Sequence, residues 1–189
     1  LRREKVPTRA WVLLGMLVLI GVVSLVLTSL RVGGLGTLFL YSIPSNTAIS
    51  VMPHEPMLLI YGSRANLWLA TLAATGGTLV AGWLDHRIFV PTLNVDRISA
   101  YKRNRLYRRA MRLFGRAPFG VLVLAGLTPV PFFPFKLLAF SGGYPLGRYL
   151  GALALGRFPR YAVLVWVGSA VYIPSWILIG LILMAFLPY

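Results

Sequence analysis

The amino-acid sequence predicts an all-α integral membrane protein: three to four spanning helices, two opposed re-entrant hairpins in an inverted repeat, and a basic helix in the membrane interface. Three observations predict it. The chain is 58% apolar with a mean hydropathy of +0.77, whereas soluble domains hold about 45–50% apolar residues. Lys and Arg outnumber Asp and Glu by 19 to 4, and these basic residues flank apolar runs, as they do in cytoplasmic loops. Finally, two apolar stretches are broken by prolines in the same way. Pro53 and Pro56 lead into Gly62, and Pro131 and Pro134 lead, at a constant offset, towards Gly142. Backbone freed by proline inside a bilayer must find partners within the protein, so such stretches line cavities. Their pairing in corresponding halves points to a site between repeats.

Residues 1–9 carry Arg2, Arg3, Lys5 and Arg9 against Glu4, and the uncharged run over 10–30 has the length needed to cross. The positive-inside rule then sets the N-terminus in the cytoplasm. A cleaved signal peptide is the rival reading, but the run is longer than the usual ~7–15 apolar residues and no clean small-x-small site follows. A second span covers 67–84, and the basic region after it, 85–116, is expected on the cytoplasmic side too. Two cytoplasmic regions need an even number of crossings between them, which 10–30 and 67–84 supply. Residues 32–62, interrupted by Pro44, Pro53 and Pro56, therefore make no net crossing and are read as a hairpin dipping in from the outer side.

Within the basic region, 97–114 reads as a helix. Leu106, Tyr107, Ala110, Met111, Leu113 and Phe114 share one arc, and Arg105, Arg108, Arg109 and Arg112 share another. This is the pattern of a helix lying on the membrane surface; a solvated loop that only fixes topology is the alternative. Residues 119–140 form the second hairpin. The span that follows, 146–171, carries Arg157 and Arg160 in its middle, and 173–187 returns to the cytoplasm. An alternative register leaves both arginines snorkelling at the cytoplasmic edge. The organisation is thus an N-terminal segment with its first span (1–31), a hairpin–helix repeat (32–172) containing a basic linker (85–117), and a C-terminal span (173–189).

Few residues can carry chemistry. Glu55, between two prolines, is the acidic residue within a hydrophobic stretch, and is a candidate proton carrier or counter-ion for Arg157 or Arg160. Its other reading is an interfacial carboxylate capping the helix after Pro56. His54 beside it titrates near neutral pH when unperturbed, though a lone histidine is more often a hydrogen-bonded structural residue. Lys136 follows Pro134 and either reaches a phosphate or snorkels. Asp85, His86 and Arg87 are expected to pair locally at the cytoplasmic end of a span. The small residues of 70–82, Gly76 and Gly77 among them, allow close helix approach. No nucleophile elbow, zinc-protease helix or phosphate loop is present, so no enzyme, metal or cofactor is expected. The absence of cysteine excludes thiol chemistry. The basic excess suits anionic lipid rather than nucleic acid.

Pro53-x-Glu55-Pro56 with Gly62, Pro131-Phe-Phe-Pro134 with Gly142 and Gly143, and Gly156-Arg157-Phe-Pro159-Arg160 resemble the hairpins and following helix of the DedA/VTT (SNARE-associated) superfamily, on the bacterial side related to yeast Tvp-type proteins. The resemblance covers about 35–172. It implies opposed hairpins and movement of a phospholipid or isoprenyl phosphate between leaflets of the cytoplasmic membrane, with proton coupling in some members. It supports Glu55 and Arg160, and less directly Arg157, as site residues. Two departures stand out: Thr128 replaces a usual arginine, and Lys136 a common acidic residue. Membrane lipids, anionic or phosphate-bearing, are the implied partners, with a homo-oligomer also open. An ion-coupled transporter of a small solute, or an assembly factor recruiting a partner through the basic helix, are the alternatives.

Overall fold

The computed structural model describes residues 34–47, 53–92 and 105–170, with isolated positions within 15–23. The predicted span over 173–187 lies outside the described residues, as does most of that over 10–30. Every regular element described is a helix: α1 (Leu35–Asn46), α2 (Glu55–Gly62), α3 (Leu67–Thr92), α4 (Arg105–Arg116), α5 (Pro118–Leu127), α6 (Phe133–Ser141) and α7 (Leu146–Ala170). Two of them are long and apolar enough to cross a membrane, Leu67–Ile88 of α3 and Leu146–Ala170 of α7. A third is possible if the bent pair α4–α5, kinked by 100°, counts as one.

The proline repeat is a structural repeat. The displacement that carries Pro53 onto Pro131 also carries Glu55, the start of α2, onto Phe133, the start of α6. It carries Leu67, the start of α3, onto Pro145, one residue before α7. In each half a helix (α1 or α5) precedes a break, a short helix follows it, and a long helix ends the unit. The prolines begin the short helices rather than interrupt them. Pro56 and Pro134 occupy the first turn, where a missing N–H costs nothing because that group has no intrahelical acceptor. Asn66 starts α3 by accepting from the Trp68 and Leu69 amides at 3.0 and 3.4 Å. α6 ends in a turn at Gly143, whose φ of 66° favours glycine, and Tyr144 N–H closes back to Ala139 O at 2.9 Å.

The two halves are interleaved. α1 lies on α3 and α5 on α7, but α2 leans on α7, the long helix of the other half, and α6 reaches back to α3. Glycines set these approaches. A methyl at Gly77 would overlap the Phe39 carbonyl of α1, and one at Gly156 would meet Val123 O of α5 at 2.5 Å. Gly62 and Gly168 bring α2 and α7 together in the same way. Close backbone contact of this kind is how helices associate where burial against lipid supplies no drive. Around the bundle, Trp68, Leu72, Leu124, Leu155, Val163 and Trp166 stay exposed, the apolar-all-round character of membrane helices.

Two expectations change here. The span predicted to close at Leu84 continues as α3 to Thr92, so Asp85 belongs to a helix and not to a surface linker. The basic helix, expected over 97–114, is described from Arg105 to Arg116; residues 97–104 lie outside the described part. α4 is anchored through Phe114, buried and edge-on to Tyr144 at 6.3 Å, and through Met111, which touches Gly142. Arg112 is exposed.

Candidate functional site

The polar interior begins at the C-terminal end of α1. A helix end leaves carbonyls without partners, and in an apolar setting the chain must supply its own donors. Here it does so with a run of short polar residues. Ser42 donates to Leu38 O at 2.7 Å, Ser45 to Tyr41 O at 2.8 Å, Asn46 to Ser42 O at 3.0 Å and Thr47 to Pro44 O at 3.0 Å. Asn46 is left with its backbone carbonyl and side-chain Oδ1 facing the other helices. Lys136 of α6 donates to that carbonyl at 3.1 Å, placing a cation at the negative end of the α1 dipole. Arg157 and Tyr161 of α7 both donate to Oδ1, at 3.1 and 3.0 Å. Tyr161 is fully buried, and its hydroxyl also meets Thr78 of α3 at 3.0 Å. One asparagine thus joins α1, α6 and α7, and a tyrosine links it to α3.

Two ion pairs flank this hub. Lys136 Nζ lies 2.5 Å from Asp85 Oδ2, with both side chains buried. Glu55 Oε1 accepts from Arg160 Nη2, and Arg160 Nη1 donates to Thr128 O at 2.6 Å. The pairs join corresponding helices of the two halves, though not residues at corresponding positions. In each, the short helix of one half meets the long helix of the other, but the signs are reversed: acid on α2 with base on α7, base on α6 with acid on α3. They differ in access, for half of the Glu55 side chain is exposed. Arg157 has no carboxylate among the described residues; it lies over the rings of Phe132 and Tyr161, at 5.2 and 5.9 Å. His54 shares a hydrogen bond of 2.9 Å between Nδ1 and Ser45 Oγ and packs 4.8 Å from the Tyr161 ring.

The sequence-predicted residues are therefore brought together, with corrections. Of the two counter-ions expected for Glu55, Arg160 is the one it pairs with. Lys136 neither snorkels nor stands free, because its ammonium is buried against Asp85. Asp85, expected to pair with His86 and Arg87 at the surface, points inward; Arg87 instead lies over Trp83 at 5.4 Å and His86 edges Phe140 at 5.4 Å. Glu55 is consequently not the sole acid within the apolar helices. α7 runs unbroken through Pro159, so Arg157 and Arg160 sit near the middle of a helix long enough to span. Asp85, Asn46 and Tyr161 were missed as site residues. The signal for Asp85 was present, since the apolar periodicity of 67–84 continues through Ile88, Phe89 and Val90. Among the described residues no three His, Asp or Glu side chains gather as metal ligands would.

Beside the hub, an apolar groove of about 570 Å³ runs between α3 and α7, lined by Leu72, Leu79, Leu155 and Phe158 among others. Thr75, also in its wall, keeps a buried hydroxyl without a partner. Pro159 has no N–H to offer the Leu155 carbonyl one turn earlier.

Against protein families, the VTT domain profile matches residues 52–170, from the break before α2 to the end of α7. The chain belongs to the VTT-domain (DedA/VTT) family. That family is membrane-associated and linked to membrane transport or homeostasis. No curated protein and no solved structure shows significant similarity to the chain. Within the VTT domain lie both short helices, both long helices and both ion pairs. Asn46, the hub, falls just before its first matched residue.

Proposed function

We propose that this VTT protein moves a phosphate-bearing lipid between the leaflets of the cytoplasmic membrane, with its N-terminus in the cytoplasm. In this reading α1–α2 and α5–α6 are re-entrant hairpins entering from opposite faces, and the interface between halves is the slot a headgroup crosses. The observation that carries the reading is a cluster of five ionisable side chains held between two spanning helices, when charges at such depth cost at least ~2.5–3.5 kcal/mol each on insertion scales. A purely structural interface would be cheaper built from leucine. The groove between α3 and α7 suits the lipid chain, which stays in hydrocarbon while the headgroup travels. Glu55, half exposed against Arg160, is the group through which water, and in a coupled cycle a proton, reaches the slot.

The test is transbilayer movement of fluorescent phospholipids and of an isoprenyl phosphate in proteoliposomes. Wild type should speed movement, and Glu55→Gln and Arg160→Gln should each slow it by about tenfold or more, the loss of roughly one charge-assisted hydrogen bond, with folding intact. No movement of any lipid, with or without a pH gradient, would sink the reading in favour of solute transport or assembly. Topology has its own check. The chain has no cysteine, and Ser63, at the turn after α2, is exposed. A single cysteine there should react with impermeant reagent from the outer side; reaction from the cytoplasmic side alone would invert the orientation.

A further inference from the structure

We propose that the ligand in this slot is centred on Arg157, and that the charges around it select a lipid phosphate bearing one negative charge, a phosphodiester, over a doubly charged monoester. The inference rests on the reading above for the entry of a lipid headgroup into the slot. It follows first from which cations are already matched. Arg160 is paired with Glu55 and Lys136 with Asp85, whereas Arg157 donates to two uncharged groups, Asn46 Oδ1 and the Tyr161 hydroxyl. With histidine counted neutral, the three cations and two carboxylates of this cluster leave one positive charge uncompensated within it. One phosphodiester anion balances it. A dianion would strand a negative charge in the same low-dielectric space, where unpaired charge is strongly disfavoured.

Unused hydrogen-bonding groups make the second argument. Buried polar atoms are nearly always satisfied, yet Arg157 Nε, the Tyr149 hydroxyl and His54 Nε2 are buried without partners, and Tyr149 and His54 are 0% and 7% exposed. Ring contacts connect them around Arg157. Phe132 lies 5.2 Å from the Arg157 guanidinium and 6.5 Å from the Tyr149 ring, and His54 packs 4.8 Å from the ring of Tyr161, over which Arg157 also lies. Arg157 Nε–H and Tyr149 O–H are donors with nothing to donate to, and a phosphodiester has two free oxygens that accept. His54 Nε2 donates as well when the Ser45 hydroxyl turns to Nδ1.

The experiment measures binding of phosphatidylglycerol and phosphatidic acid with identical chains to the purified full chain in detergent, from about pH 6 to about pH 8. Phosphate monoesters lose their second proton near pH ~6. Phosphatidylglycerol affinity should stay level. That of phosphatidic acid should fall, by up to about tenfold per pH unit once the second proton is lost. Arg157→Gln should weaken phosphatidylglycerol by about tenfold or more. Tyr149→Phe keeps the test independent of folding, since removing an unpaired buried hydroxyl leaves stability unchanged or raised; it too should weaken binding by about tenfold. Equal or tighter phosphatidic acid binding at about pH 8, or undiminished binding by Tyr149→Phe, overturns the assignment even if lipid movement persists. The expected binding pattern without any lipid movement supports the Arg157 site and removes the transport reading instead.

Discussion

Asp85→Asn and Lys136→Met, made singly, are each expected to destabilise the protein by about 3–5 kcal/mol, the cost of leaving one buried charge without its partner. Together, as Asp85→Leu with Lys136→Met, they should recover most of that stability, because an apolar pair of similar volume replaces a buried ion pair at little net cost. Thermal unfolding in detergent checks both. Lipid movement separates the two meanings of the pair: a structural clasp regains movement with stability, while a working part of the slot leaves the apolar double variant folded and inactive. The reversed pair, Asp85→Lys with Lys136→Asp, should fold less well than wild type, since its acid would face the Asn46 carbonyl that Lys136 now satisfies. Single variants as stable as wild type would mean that the pair is not buried in the membrane-embedded protein.

The second large effect is steric. Gly156→Leu should abolish assembly of the folded bundle, seen as loss of a monodisperse peak in detergent. Even the first added carbon would stand 2.5 Å from Val123 O and 3.0 Å from the Gly126 Cα, and backbone cannot turn away as a side chain can. Overpacking a core commonly costs about 1–3 kcal/mol, and here a whole helix must shift. Gly147→Ala in the same helix meets nothing within 4 Å. It should fold normally, and gains up to about 1 kcal/mol of helix propensity. A folded Gly156→Leu protein would show that α5 and α7 are not in backbone contact.

Much of this arrangement was legible in the residues, and the reasons are local. Proline pairs at a constant offset report a repeat because proline is tolerated at few helical positions, and those positions recur. The middle of α7 was readable from Arg157 and Arg160, since a span placed wholly after Arg160 leaves too little chain for the last two apolar segments. Asp85 was misread because a charged triplet, Asp85-His86-Arg87, resembles the polar end of a helix. Only the approach of α6 from more than forty residues away turns that aspartate inward. Asn46 was invisible for a related reason. An asparagine closing a helix is ordinary, and its role arises when Lys136, Arg157 and Tyr161 converge on it. Lys136, a departure from the family pattern when taken alone, is matched by the acid on α3.

Interleaving has a consequence for how the chain is made. Synthesis delivers the first half complete in sequence but incomplete in contacts: α2 emerges with a face shaped by Gly62 for a helix whose glycine, Gly168, lies far downstream. Asn46 likewise waits for Tyr161, a separation of 115 residues, and Glu55 for Arg160, a separation of 105. Until α7 arrives, Glu55 and the Asn46 side chain lack the partners that the finished fold gives them. Closure of the Glu55–Arg160 pair is then the step that ties the first half of the chain to the second.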